Sequence, residues 1–258
     1  MKRNSYRDVN AKTFYDCLYK RSDKIAGIPK DDNYMYAQVI KELKPYLCSG
    51  KSILDLGCNN GNLSLYIANH ACDVIGIDIS DKAIDLARRS AKYHEVSNAK
   101  FYSLDFVEQW NAKPDFDLVF CSHVIEHVQD EEAFLEKIQV CIKPGGALLV
   151  LAPTIYSSMY RTYKLFTGKF AFDEEVGHIR RYSEKGLSHS LTSAGFDIVS
   201  VKYLDSPLRE WAILCKALKY GNILWGRRYI RKIFNYIDEI MAQVVCPATI
   251  CIHAVKRP

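Results

Sequence analysis

No two of the nine cysteines are spaced as a C-x-x-C pair. Their positions (17, 48, 58, 72, 121, 141, 215, 246 and 251) are odd in number and scattered through apolar runs. That pattern speaks against a disulfide frame or a zinc cage and reads as reduced, buried thiols of a cytosolic protein. Met1-Lys2-Arg3-Asn4 is not followed by an apolar h-region, and no apolar run approaches a membrane span. A soluble, cytoplasmic chain without a signal peptide is therefore the expectation. Strong charge is also missing. The formal net charge of +5 is too mild alone to argue for nucleic acid. There is no internal repeat and no low-complexity segment, so 258 residues fit one α/β domain with additions.

What is present is an alternation of short apolar runs and helical patterns. Ser52 to Leu56 reads as a first strand, broken at Gly57 and Gly61 and followed by a helix from Leu63 to Ala68. Asp73–Ser80 is a second buried strand, and Asp81–Tyr93 a helix with Ser80 or Asp81 as its N-cap. Strands follow at Ala99–Asp105 and Phe116–Ser122, the latter leading into a helix through Ile138. Lys143-Pro144-Gly145-Gly146 reads as a sharp turn into a fifth strand, Ala147–Leu151. A helix over Ser183–Ala194, a strand at Phe196–Val201 and a last strand at Thr249–Val255 complete the pattern. Apolar strands alternating with helices predict a mostly parallel sheet covered on both faces.

Three stretches stand outside this rhythm. Residues 1–50 are polar and tyrosine-rich and predict two or three helices forming a lid or flank. Tyr15 and Tyr19, one turn apart, suit either packing on the sheet or covering a ligand, and packing is the commoner role. Residues 154–182 hold aromatic and basic residues without a strand pattern. The organisation expected is a helical lid at 1–50, a core at 51–206, a helical insertion at 207–247 and a closing strand at 248–258.

The glycine turn, entered from a strand and left by a helix, aims backbone N–H groups at one spot and suits a nucleotide-like ligand. Asp78 falls about twenty residues after Gly57, where such folds place the acid that accepts ribose hydroxyls. NAD and S-adenosylmethionine (SAM) are the candidates. The third glycine that a dinucleotide needs is missing, and Asp55 would repel a pyrophosphate while suiting a cationic amino-acid headgroup. SAM is favoured.

Leu54-Asp55-Leu56-Gly57-Cys58-Asn59-Asn60-Gly61, Gly76-Ile77-Asp78, Leu104-Asp105, Phe116–Val119 with Glu126-His127-Val128, Ile142–Gly146 and Ala194-Gly195-Phe196 together resemble the class I SAM-dependent methyltransferases. The resemblance covers about residues 50–203. It implies an α/β Rossmann-like fold whose seven-stranded sheet ends in an antiparallel strand. It also implies Asp55, Gly57, Asn59 and Gly61 in the cofactor loop, Asp78 and Ile79 at the ribose, Asp105 and Phe106 at the adenine, and Ser122 beside the methionine part. The family usually has glycine where Asn59 stands; asparagine is the residue other than glycine that best tolerates left-handed backbone.

His123, Glu126 and His127 follow the fourth strand at i, i+3 and i+4, and on a helix would share one face. His178 is expected to return over the same sheet edge. The set resembles two methyltransferase branches that hold a divalent metal with Glu-x-x-Glu-His plus a later histidine. One branch methylates catechol-type rings in ubiquinone biosynthesis, the other the terminal 2′-hydroxyl of small RNAs. His123 stands where the first glutamate is expected, so His123, Glu126, His127 and His178 would favour a transition metal over magnesium. Without a metal, His178 or His123 would be the general base. Arg180 and Arg181 suit either a substrate anion or a structural salt bridge.

Segment 207–245 is amphipathic, basic and aromatic. It fits a packed helix, a pocket wall, a subunit contact or a helix at an anionic membrane surface. The reading that results is a methyltransferase acting on a hydroxyl of a small or lipid-linked molecule. Its rivals are an RNA ribose 2′-O-methyltransferase and a non-catalytic SAM-binding protein. The oligomeric state is not readable from the sequence.

Overall fold

The computed structural model describes residues 10–19, 24–111, 113, 115–167, 171–210, 212 and 228–257. Seven strands form one sheet: β1 Ser52–Leu56, β2 Asp73–Asp78, β3 Ala99–Ser103, β4 Phe116–Ser122, β5 Ile142–Pro153, β6 Phe196–Leu204 and β7 Thr249–Lys256. Their spatial order is β3-β2-β1-β4-β5-β7-β6. β1 to β5 run parallel, and β7 lies antiparallel between β5 and β6. The predicted class I architecture is what forms.

The strands are near-continuous apolar runs because both faces are covered. One face is filled by Leu54, Val119, Phe134, Ile138, Leu148 and their neighbours. The other is filled by Ile53, Ile67, Leu118, Phe120 and Leu149. Alternate side chains of one strand serve opposite cores, as the period of two requires.

The described helices are α1 Ala11–Tyr19, α2 Ala37–Leu43, α3 Asn62–Ala68, α4 Asp81–Tyr93, α5 Phe106–Gln109, α6 Glu131–Cys141, α7 Ser158–Thr167, α8 Ala171–Val176, α9 Glu184–Ser193 and α10 Arg228–Val244. Ser80 caps α4 through Ala83 N–H, and Ser183 caps α9 through Gly186 N–H, each giving an orphan backbone donor a partner. α1 packs on α4, while α2 packs on α10. A buried polar group ties α2 to the sheet: Glu42 accepts from Lys202 Nζ at 2.7 Å and meets His253 Nε2 at 2.8 Å.

One expectation needs correction. The Lys143–Gly146 turn does not precede the fifth strand; it is a bulge inside it. The register jumps from Phe116↔Ile142 to Leu118↔Ala147, and Gly145 takes φ +74 to make the detour. The stretch 154–182 contains helices α7 and α8, which lack a long apolar periodicity because much of their surface stays exposed. Of the predicted insertion, Trp211, Leu214, Lys216, Leu218, Lys219, Ile223, Leu224, Trp225 and Arg227 lie outside the described residues.

Candidate cofactor and acceptor site

Where the strand order turns back between β1 and β4, the chain leaves a crevice at the carboxyl ends of the strands. A cavity of about 530 Å³ opens there. Of the nine residues predicted for the cofactor, Gly57, Asn59, Asp78, Ile79, Asp105, Phe106 and Ser122 line it. Asp55 and Gly61 do not.

Asn59 has φ 54, the left-handed conformation expected of it. This turns its N–H onto Asp78 Oδ2 at 3.0 Å, while Ser80 N–H donates to Asp78 Oδ1 at 2.9 Å. Burial nevertheless raises the Asp78 carboxyl above the usual range, against those backbone donors. Gly57 has φ +69, and a Cβ there would sit 2.1 Å from Val124 Cγ2, so the loop can pass only without a side chain. Gly61 is the left-handed cap of α3. Asp55 lies beneath the loop, 3% exposed, and accepts the Ser64 hydroxyl. Burial lifts its carboxyl to about 7; the Ser64 hydrogen bond opposes that shift and the charge of Asp78 adds to it. Asp105 caps α5, its Oδ1 accepting from Val107 N–H at 2.9 Å and Glu108 N–H at 3.2 Å.

At the other end of the cavity the histidines meet, by a route other than the one predicted. Ser122–His127 does not start a helix. β4 ends at Ser122, His123 takes φ 56, and a single 3₁₀ turn covers Ile125–His127. The α-helix begins at Glu131, capped by Asp130. Asp130 competes successfully for the helix start because its carboxylate satisfies Ala133 N–H. The turn still brings His123 Nδ1 to 3.2 Å from Glu126 Oε1. His178 Nε2 lies 3.6 Å from the same oxygen. The His127 and His178 rings are 4.8 Å apart.

The orientation of each ring is fixed from behind. His127 Nδ1 is 2.9 Å from the Gly177 carbonyl, which can only accept, so Nδ1 carries the proton and Nε2 the lone pair. His178 Nδ1 is 2.8 Å from Asp173 Oδ1, so that nitrogen is the donor and the ring is held from behind in the same way. Asp173 is held in turn by Arg181, whose Nη2 donates at 2.7 Å and Nε at 2.9 Å. Glu126 is fully buried, and its Oε2 has no hydrogen-bond partner among the described residues.

Burial pushes the Glu126 carboxyl up, but the His123 hydrogen bond and the neighbouring imidazoles outweigh it and hold the acid below its ordinary value. Burial lowers His127, keeping that imidazole neutral. At His123 burial also acts downward, and the Glu126 carboxylate overcomes it, so the net shift is upward.

Only His123 and His127 of this cluster line the cavity; Glu126 and His178 stand behind them. Ligand atoms of Glu126, His127 and His178 all lie within 4.8 Å of one another, a group that His123 is not part of. Arg180 is engaged by Glu131 at 2.7 Å and the Gln129 carbonyl at 3.0 Å, and Arg181 by Asp173, so both guanidinium groups serve the fold. One participant went unforeseen. Asp173 stands five residues before His178, a spacing that marks no regular face. Tyr15, expected either to pack or to cover a ligand, lines the cavity and meets the His127 ring edge-on at 5.6 Å.

A family model described as a methyltransferase domain matches residues 30–201. The chain belongs to this methyltransferase family. Among relatives of the methyltransferase, the ubiquinone biosynthesis O-methyltransferase of Coxiella burnetii is 32% identical over 117 residues, 45% of this chain and 47% of that protein. The mitochondrial one of Schizosaccharomyces pombe is 37% identical over 103 residues, 40% of this chain and 38% of that protein. The matched stretch thus spans about half the length of these curated relatives or less. In fold, the methyltransferase is similar to the [4+2]-cyclase SpnF, with a TM-score of 0.66 and 17% identity over 100% of this chain and 98% of that one. It is also similar to phosphoethanolamine N-methyltransferase 2 of Haemonchus contortus solved with SAM, with a TM-score of 0.62 and 18% identity over 99% of this chain and 60% of that one. Likeness at that identity speaks for the class I fold alone, since one fold hosts unrelated reactions.

Proposed function

We propose that this methyltransferase moves the methyl group of SAM to a hydroxyl of a small or lipid-linked acceptor. The observation that carries the reading is one cavity with the cofactor loop and Asp78 at one end and His123 and His127 at the other. Gly57 and Asn59 would pass the methionine part, Asp78 and Ile79 would take the ribose, and Asp105 with Phe106 would flank the adenine. Ser122 would lie beside the methionine part. Asp55 and Gly61 would act from beneath, by shaping the loop.

His127 suits the base role better than His178 or His123. It is on the cavity wall, neutral, and its protonated Nδ1 is fixed by Gly177, which leaves Nε2 to take a proton. Methyl transfer from a sulfonium is intrinsically favourable, so holding acceptor and methyl in line contributes most of the rate.

The residues also fit a divalent transition metal. Glu126 Oε2 is a buried oxygen without a partner among the described residues, and His178 Nε2 lies 3.6 Å from Oε1. A buried carboxylate oxygen with no donor facing it, grouped with two imidazoles within 4.8 Å, suits a cation. Glu126, His127 and His178 would hold it, with Asp173 and Gly177 orienting the imidazoles. When bound, the ion would lower the pKa of an acceptor hydroxyl.

Mass spectrometry after incubation with labelled SAM and a panel of catechols, lipid-linked hydroxyl compounds and short RNAs tests the reading. A labelled methyl ether on a small or lipid-linked acceptor is expected; label on RNA ribose alone, or SAM binding without transfer, would overturn it.

A further inference from the structure

Helix α10 inverts the usual arrangement of a surface helix, in which apolar residues face the body and polar ones face water. Its inner face is ionic. Asp238 is fully buried and accepts from Arg209 Nε at 2.6 Å and from Ser206 N–H at 3.0 Å. Arg231 pairs with Asp32 at 2.9 Å on the same side. Its outer face is apolar. Tyr229, Ile233, Tyr236, Ile237, Ile240 and Val244 are between 43% and 81% exposed. At helical spacing these six occupy an arc of roughly 100°, opposite the buried Asp238 and Ala242.

Beside this stripe, α2 and α10 enclose a groove of about 770 Å³. Lys30, Lys41, Lys44, Arg228, Arg231 and Lys232 line it against three acids, Asp31, Asp32 and Glu239. Six cations against three carboxylates leave an excess of three positive charges at the amino-terminal end of the helix. Beyond the other end, Cys246 Sγ is 4.0 Å from Arg161 Nη1 of α7. One turn further along α7, Leu165 and Phe166 are each 80% exposed.

We propose that this face docks on an anionic phospholipid surface. α10 lies in the plane of the interface, its stripe in the acyl boundary and the groove cations on headgroup phosphates. The charge pattern selects this occupant over a second copy of the chain. Two α10 helices paired antiparallel would set Arg228 and Lys232 against a carboxyl-terminal half that has no acid beyond Glu239. Spanning is not the mode, since no described helix is long and apolar enough to cross a membrane.

The test is flotation of the full chain with phosphatidylcholine vesicles, alone or mixed with phosphatidylglycerol, alongside sedimentation velocity. Binding is expected to the mixed vesicles, weakening as salt rises. Ile233→Glu with Ile240→Glu should reduce it about tenfold or more at an unchanged unfolding midpoint, and Tyr229→Glu with Val244→Glu should do the same. Arg228→Glu with Lys232→Glu should abolish the preference for phosphatidylglycerol. Absence of binding to mixed vesicles overturns the proposal. So does a dimer that the stripe variants dissociate while vesicle binding is unchanged, or capture of an oligoribonucleotide in place of vesicles.

Discussion

Asp55→Asn is the perturbation with the best-defined sign. The acid is fully buried and its carboxyl sits at about 7, above an unfolded value near 3.9. A raised acid leaves the fold unaffected below the unfolded value and weakens it as pH rises toward the folded one. From those two values, linkage gives a penalty of about 2 kcal/mol at pH 5.5 and about 4 kcal/mol at pH 8. Asparagine is isosteric and still accepts the Ser64 hydroxyl. Urea unfolding of both proteins across this range should therefore show the wild type losing about 2 kcal/mol relative to the Asp55→Asn variant between the two ends. SAM brings a cation to the neighbourhood and should narrow the gap. A difference that stays flat within the error of the extrapolation would refute the assignment of a neutral, desolvated carboxyl beneath the cofactor loop.

Glu126→Gln keeps the shape of the cluster and removes the charge that the imidazoles face. Methyl transfer should fall by about a hundredfold in kcat with cofactor affinity unchanged by calorimetry. A chelator should lower activity, with manganese, cobalt or zinc restoring it better than magnesium, as the two-imidazole, one-carboxylate set requires. Gly57→Ala must fit a Cβ 2.1 Å from Val124 Cγ2 at φ +69. A loss of about 1–3 kcal/mol in urea unfolding and weaker SAM binding should follow. Asp173→Asn removes the carboxylate charge that Arg181 and His178 share and should cost about 2–3 kcal/mol. Asp173 is held below its usual range despite burial, by His178 and Arg181. Its contribution is present above the unfolded value and fades as pH falls, so wild type and variant should converge in acid.

The sheet was legible because its strands are apolar runs, and β1, β2 and β6 are closed by Gly57, Asp78 and Asp205, signals that are local. β4 was read to the residue, Phe116 to Ser122. The cofactor half of the site was legible for the same reason, since Asp78 ends β2 and Asp105 follows two residues after β3 as the cap of α5. The acceptor half was legible in its residues and not in its geometry. His123, Glu126 and His127 suggested a helical face, whereas a left-handed residue and a 3₁₀ turn bring them together. Asp173 could not be read, because its role depends on α8 folding back so that Arg181 and His178 converge on one carboxylate. The inverted face of α10 was visible as composition; which side met the body depended on where Asp32, Arg209 and Asp238 lie in space.

The place of β7 between β5 and β6 has a consequence during synthesis. β6 ends at Leu204 and its only described partner strand starts at Thr249, 45 residues later. At ribosomal speed that is roughly 2–9 seconds in which β6 has no neighbour and β5 presents an open edge. The apolar stripe of α10 emerges in the same interval. A nascent chain in this state exposes the lone strand β6, the open edge of β5 and one greasy helix together. Slow translation of residues 205–248 should therefore raise its demand for chaperones more than the same delay anywhere before β5.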